Sequence, residues 1–128
     1  MIDIINGLGN ELMPILGQPR FWVDKLPDVK QSPIAFALRN MPGGSPGQYY
    51  QGRQIRLANI QIMTQSEQQM TAMNLCEQAY QSVYRGDMNM DGLSIISVNN
   101  ISEPQYLENN NGAWVYSCAI SIEYMKGE

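Results

Sequence analysis

The residues in this chain best suited to chemistry lie in GDMNMDG, Gly86 to Gly92, where Asp87, Asn89 and Asp91 alternate and Gly92 follows directly. Oxygen ligands at the first, third and fifth positions, then a glycine at a sharp turn, are how a helix–loop–helix calcium site begins. Such a loop closes with a bidentate Glu at its twelfth position. Counting from Asp87, that position is Val98, which has no ligand oxygen. The segment that follows, LSIISVNNI, is rich in Ile, Val and Ser and reads as a strand, where a calcium loop needs a helix. Asp, Asn and Gly are also the residues that turns prefer, so the stretch reads as a helix-to-strand turn and no metal is expected.

No other grouping offers reaction chemistry. The chain has no histidine, which removes His general bases, His ligands and every Ser-His or Cys-His nucleophile. The two cysteines, Cys76 and Cys118, are far apart and match no metal-ligand spacing. Both sit among apolar neighbours and read as buried free thiols, in keeping with a reducing compartment. Asp24 and Asp28 read as solvated loop charges. No base, nucleophile and orienting group stand at a recognisable spacing, so neither enzymatic activity nor a cofactor is expected.

The elements must therefore serve something other than catalysis. A length of 128 residues fits one domain, 1–128, large enough to bury a core without staples. Charged residues make up only 16% of the chain, and Gln and Asn fill the gap. The net charge is −4, and only Arg53 and Arg56 of RQIR stand close together. Gripping phosphates takes clustered Lys and Arg, so nucleic-acid binding is not expected. An acidic protein can still surround DNA without holding it, because like charges repel. The first residues carry Asp3 and Glu11 and no early basic cluster, unlike a secretory signal. No apolar run is long enough to cross a bilayer.

Along the chain, Ile5, Leu8, Leu12 and Ile15 stand at helical spacing and predict a short helix over about 3–16. Gly7 and Gly9 weaken it, and Pro14 should kink or end it. RFWVDKLPD reads as a short edge strand stopped by Pro27. PIAFALRN is a clearer strand, with Ile34, Phe36 and Leu38 on one side and Ala35, Ala37 and Arg39 on the other. MPGGSPGQYYQG, 41–52, reads as a long loop, and its Tyr49 and Tyr50, with the adjoining Arg53, suit a contact surface. In RQIRLANIQIMT, Ile55 and Leu57 share one face while Ile60 and Ile62 fall on the other. A bulge near Ala58–Asn59, or burial on both faces there, reconciles them.

The main helix is predicted over 67–85. Ser66 and Gln69 have capping-box spacing, Met73, Cys76, Ala79, Tyr80 and Val83 form the apolar stripe, and Gly86 is placed to end it. A strand from Leu93 to Ile101 follows. EPQYLENNNGAW then reads as a loop with a tight turn at Asn111–Gly112. The final strand, AWVYSCAISIEYM, alternates without fault. Trp114, Tyr116, Cys118, Ile120, Ile122 and Tyr124 share one face; Val115, Ser117, Ala119, Ser121 and Glu123 share the other. The order helix-strand-strand-helix-strand-strand predicts an α+β fold, an antiparallel or mixed sheet with helices on one face. The small, polar face of the last strand is left for water or for a neighbouring subunit.

From LPDVKQSPIAFALRNMPGG through RQIRLANIQIMTQSEQQMTAMNLCEQAYQSVYRG to EPQYLENNNGAWVYSCAISIEYM, the chain resembles the tail terminator proteins of long-tailed bacteriophages, also described as tail completion or minor capsid proteins. The likeness is one of order: a Leu-Pro before the first core strand, a Gly-rich turn, a long strand running into a helix, PQYL (Pro104 to Leu107), Asn-Gly, and a final alternating strand. That last strand often carries Asn in the family where this chain has Cys118, which leaves the register of the final hairpin open.

The resemblance implies a structural virion protein assembled in the host cytoplasm. It implies a ring, a homohexamer, that caps the head-proximal end of the tail tube, stops its polymerisation and meets the head-completion or connector protein. The implied partners are further copies of itself, the tail-tube protein and the connector, with DNA passing through the lumen without specific binding. Neither a membrane nor a cofactor is implied. A ring of identical subunits uses a head-to-tail contact that closes. Sheets of neighbours could continue into an inner barrel, which also removes exposed edges. Val115, Ser117, Ala119, Ser121 and Glu123 fit a lumen face that is not basic, since basic residues there would slow passing DNA. Alternatives are another neck component, such as a head–tail connector or tail-tube protein, and a ferredoxin-like small-molecule regulatory module. The Gly-rich PGGSPGQ does not lead into a helix, which argues against phosphate cradling in such a module.

Overall fold

The computed structural model describes residues 2–50, 53–85, 90 and 93–126, with side chains for all of these except 2, 3, 42–50, 53, 54 and 126. In chain order the elements are α1 (Ile2–Leu16), β1 (Trp22–Val23), β2 (Ala35–Tyr50), β3 (Arg53–Ser66), α2 (Gln69–Tyr84), β4 (Leu93–Asn110) and β5 (Ala113–Lys126). The strands form one sheet in the order β1-β2-β3-β5-β4. All neighbours are antiparallel except β1 and β2, so the sheet is mixed, and both helices pack on one face of it.

The core lies between helices and sheet and follows the two periodicities of the sequence. Alternation brings Phe36 and Leu38 of β2, Ala58, Ile60 and Ile62 of β3, and Tyr116, Cys118, Ile120, Ile122 and Tyr124 of β5 to the helical side. From α1 come Ile4, Ile5, Leu8, Leu12 and Leu16, and from α2 Ala72, Leu75, Cys76, Ala79, Tyr80 and Val83. Burying such a set is the main source of stability, each large aliphatic side chain contributing roughly 1.5–3 kcal/mol.

α1 runs on through Pro14, which lies on its exposed side in the last turn. The helix is closed instead by Gly17, whose φ of +67° lets the chain turn back. Gln18 N–H donates to Met13 O at 2.9 Å and Gly17 N–H to Pro14 O at 3.3 Å, the paired bonds of a Schellman ending. The start of α2 also differs from the capping box that its sequence suggests. Ser66 is the last residue of β3, and its hydroxyl accepts from Gln68 N–H at 3.1 Å. Gln68 is the N-cap, without a side-chain cap bond, and Gln69 reaches across to donate to Tyr116 Oη at 3.0 Å. Gly86 lies outside the described residues.

The largest departures from the sequence reading concern strand length. β2 continues to Tyr50 through the Pro- and Gly-rich stretch that composition reads as a loop from Met41 to Gly52. β1 pairs with β2 only as far as Leu38, so beyond it β2 is an edge, where a missing proline donor costs least. Register shifts between Met41 and Ser45 and between Ser45 and Gln48 absorb the surplus residues. The irregularity anticipated near Ala58–Asn59 is therefore in β2, while β3 holds unbroken register with β5 from Ile55 to Ser66. Leu57 is half-buried on the face away from the helices, which accounts for the change of side along β3.

β4 likewise extends to Asn110, through the segment read as a loop, because β5 templates it across register shifts; Pro104 falls in one of these, on an edge strand. The hairpin closes at Asn111 and Gly112, with φ of 54° and 92°, the doubly positive pair of a type I′ turn. Asn109 Oδ1 accepts from Gly112 N–H at 3.1 Å.

Candidate functional site

The sheet has a second face, on which no helix packs among the described residues. Opposite pairs across the central strands place Gln65 with Val115, Met63 with Ser117, Gln61 with Ala119, Asn59 with Ser121, and Leu57 with Glu123. On the far side of β5 the same residues meet Glu108, Gln105, Ser102, Asn99 and Ser97 in turn. The alternation of β5 thus brings Val115, Ser117, Ala119, Ser121 and Glu123 together along the middle of this face.

Their exposure is not uniform. Val115, Ser117 and Ala119 retain 2%, 5% and 6% of their surface, while Ser121 and Glu123 are half-buried. Small side chains on a central strand are overshadowed by longer ones on both neighbours, here Met63 and Gln65 on β3 and Gln105 and Glu108 on β4. Gln65 is itself buried, and its amide donates to Pro27 O at 3.1 Å and Ser32 O at 2.9 Å, holding the 27–32 segment to the sheet. The small residues form a floor, and the polar groups around them make the reachable surface.

The charges on this face are sparse. Glu123 accepts from Ser97 Oγ at 3.4 Å, Glu108 is exposed, and Arg39 of β2 stands across from Gln61. Arg39 was not among the candidates singled out from the sequence. The signal for it was the alternation of β2, which puts it on the same side as Ala35 and Ala37. The other candidate patch is at the far end of β2 and β3. Tyr50 pairs with Arg53 and Tyr49 with Gln54, so this patch is built on paired strands; its side chains lie outside those described.

The chemical candidates are placed as follows. Asp87, Asn89, Asp91 and Gly92 lie outside the described residues. Val98, at the position of a calcium loop's last ligand, is in β4 opposite Ile122 and packs against the core. Among the described residues no group of three His, Cys, Asp or Glu could hold a metal. Cys76 and Cys118 are free, buried and adjacent across the α2–β5 contact. The hydrogen bond with Cys76, and then burial, push the Cys118 thiol well above the ordinary thiol range, the opposite of a reactive cysteine. Asp24 and Asp28 are both exposed, and Asp28 Oδ1 accepts from Lys30 N–H at 3.0 Å within a local turn. No helix among the described residues is long and apolar enough to cross a membrane.

Comparison with known families matches residues 10–126 to one described as bacteriophage tail terminator protein, a span that holds the whole sheet, α2 and the last part of α1. No curated protein matches the chain.

Proposed function

The chain belongs to the bacteriophage tail terminator family, and on that premise we propose that it forms a ring, a hexamer, that caps the head-proximal end of the tail tube. A tail terminator is a structural part of the virion and associates with other tail and head proteins. In the proposed ring the cap stops tube polymerisation, meets the head-completion or connector protein, and lets DNA through its lumen. Assembly takes place in the host cytoplasm.

The observation that carries this reading is the sheet face without helices. Its middle is lined by small residues, its reachable groups are mainly amides and hydroxyls, and its strand charges, Arg39, Glu108 and Glu123, are of both signs with a single cation among them. A surface of that kind borders a polyanion without gripping it, since tight contact needs several adjacent cations. Val115, Ser117 and Ala119 would form the floor of the lumen wall, with Ser121, Glu123 and their longer neighbours nearer the channel. Tyr49, Tyr50 and Arg53, at the end of the β2–β3 hairpin, would contact a neighbour or the tube end.

The test is the mass of the purified protein alone and with isolated tail tubes, with electron microscopy of the products. The expected result is a single ring at one tube end and an end to tube growth. A protein that stacks into long tubes, or that never joins a tube end, overturns the reading.

A further inference from the structure

The sheet has two open edges, and they differ in a way that bears on how copies could join. β4 is the outermost strand on one side. From Leu93 to Ser102 it has no charged residue, although Lys and inward charges are common protection for such an edge. It exposes Ile96, Ile101 and Leu107, each more than two-fifths accessible. All three are surplus residues in the pairing with β5: register passes from Ile95 to Ser97, from Asn100 to Ser102, and from Tyr106 to Glu108 against consecutive residues of β5. The bulges cut the free edge into short runs with an aliphatic side chain between them. Such an edge is closed to a regular foreign strand and suits only a partner of matching irregularity.

The other open edge supplies that partner. Among the described residues β2 has no strand partner on its outer side from Arg39 onward, because β1 ends its pairing at Leu38, and β2 carries register shifts of its own over this stretch. Strand sense also fits. Successive antiparallel pairings from β2 to β3 to β5 to β4 leave β2 and β4 running in opposite directions. Rotation about a ring axis preserves strand sense, so a head-to-tail contact sets β4 of one copy antiparallel to β2 of the next. We infer that the subunit seam is β4 against the β2 edge, from Arg39 outward, of a second copy of this chain. Short ladder runs make its hydrogen bonds, and Ile96, Ile101 and Leu107 are buried within it. The inference rests on the ring reading and adds which edges meet and in which sense.

Disulfide trapping tests it. Full-length Asn40→Cys and Met41→Cys proteins are mixed pairwise with Ile96→Cys, Asn99→Cys and Ile101→Cys proteins under mild oxidation; the native thiols are buried. The expected result is a crosslinked dimer in at least one mixture and in none of the variants alone. Rings of full mass without a crosslink in any mixture overturn the seam but leave the ring. Crosslinking of a β4 variant with itself overturns it in favour of a two-fold contact. A protein that stays monomeric with and without tail tubes overturns both ring and seam. As a second arm, the double variant Ile96→Lys/Ile101→Lys should keep its melting temperature and lose assembly. Assembly at the parent concentration refutes the inference.

Discussion

Tyr80 of α2 donates its hydroxyl to Asn100 Oδ1 of β4 at 3.0 Å, tying the C-terminal half of the main helix to the edge strand. Burial first, and then the charge of Glu103, raise the Tyr80 phenol above its ordinary 10.0. Between the two values the folded chain keeps a proton that the unfolded chain has shed. Stability from this group is therefore complete below about pH 10 and falls as pH rises through the folded value. Cys118 moves in the same direction from its ordinary 9.0, so alkaline loss begins near there. Tyr80→Phe should cost about 1 kcal/mol at neutral pH and flatten the alkaline part of a urea-stability profile. An unchanged alkaline slope would show that Tyr80 is not its source.

Gly9 occupies a place where no side chain fits: a Cβ there would overlap the Phe21 ring. That ring is stacked on Phe36 at 6.2 Å and cannot simply swing away. Alanine improves intrinsic helix propensity by about 1 kcal/mol. Overpacking a fixed ring opposes this with roughly 1–3 kcal/mol, so Gly9→Ala should be net destabilising. At Gly7 the obstacle is Met90 Sδ at 2.7 Å, the far end of a flexible side chain, and Gly7→Ala should cost less. Thermal melts of the two variants, and a Gly9→Ala/Phe21→Leu cycle showing rescue, check the ordering.

Lysine on the helix-free face should act differently at two neighbouring positions. Ser121 is half-buried, so Ser121→Lys can carry its charge outward with little loss of stability. Ser117 keeps only 5% of its surface between Met63 and Gln105, and a lysine there should cost about 1–3 kcal/mol. Both should slow DNA passage if this face borders the channel. Phage carrying Ser121→Lys with normal ejection kinetics and titre would count against the lumen assignment.

Shortening the β2–β3 hairpin between Met41 and Arg53 should spare the core, to which β2 and β3 contribute Phe36, Leu38, Ala58, Ile60 and Ile62, all outside the removed stretch. The expected product is a soluble protein with a normal melt that fails to cap tails. Uniform tail lengths in its presence would deny the hairpin end a contact role.

The core was legible in the sequence because helix and strand periods are local. The stripe of α2 and the alternation of β5 each assign faces without reference to any other part of the chain, and the Asn111–Gly112 turn follows from two residues that tolerate positive φ. The extent of β2 and β4 was not legible. Pro42, Gly43, Gly44 and Pro46, and later Pro104, Asn109 and Asn110, have turn-forming preferences, yet long-range pairing with β3 and β5 holds these segments extended and relegates the misfit to bulges. The apparent capping box failed for a related reason, since sheet pairing claims Ser66 before the helix can use it.

By itself, then, the sequence determined which faces of α2 and β5 turn inward, the absence of a histidine-based chemistry, and the low, scattered charge of the surface; Ile15 and Ile34, whose spacing sets them with the inward residues of their elements, are exposed in the fold. Only the tertiary structure decided that β5 lies between β3 and β4, that β2 and β4 are left with open edges, and that Ser117 is shaded while Ser121 is not. Those outcomes depend on contacts between residues far apart in the chain, and no local pattern encodes which strand a strand will sit beside.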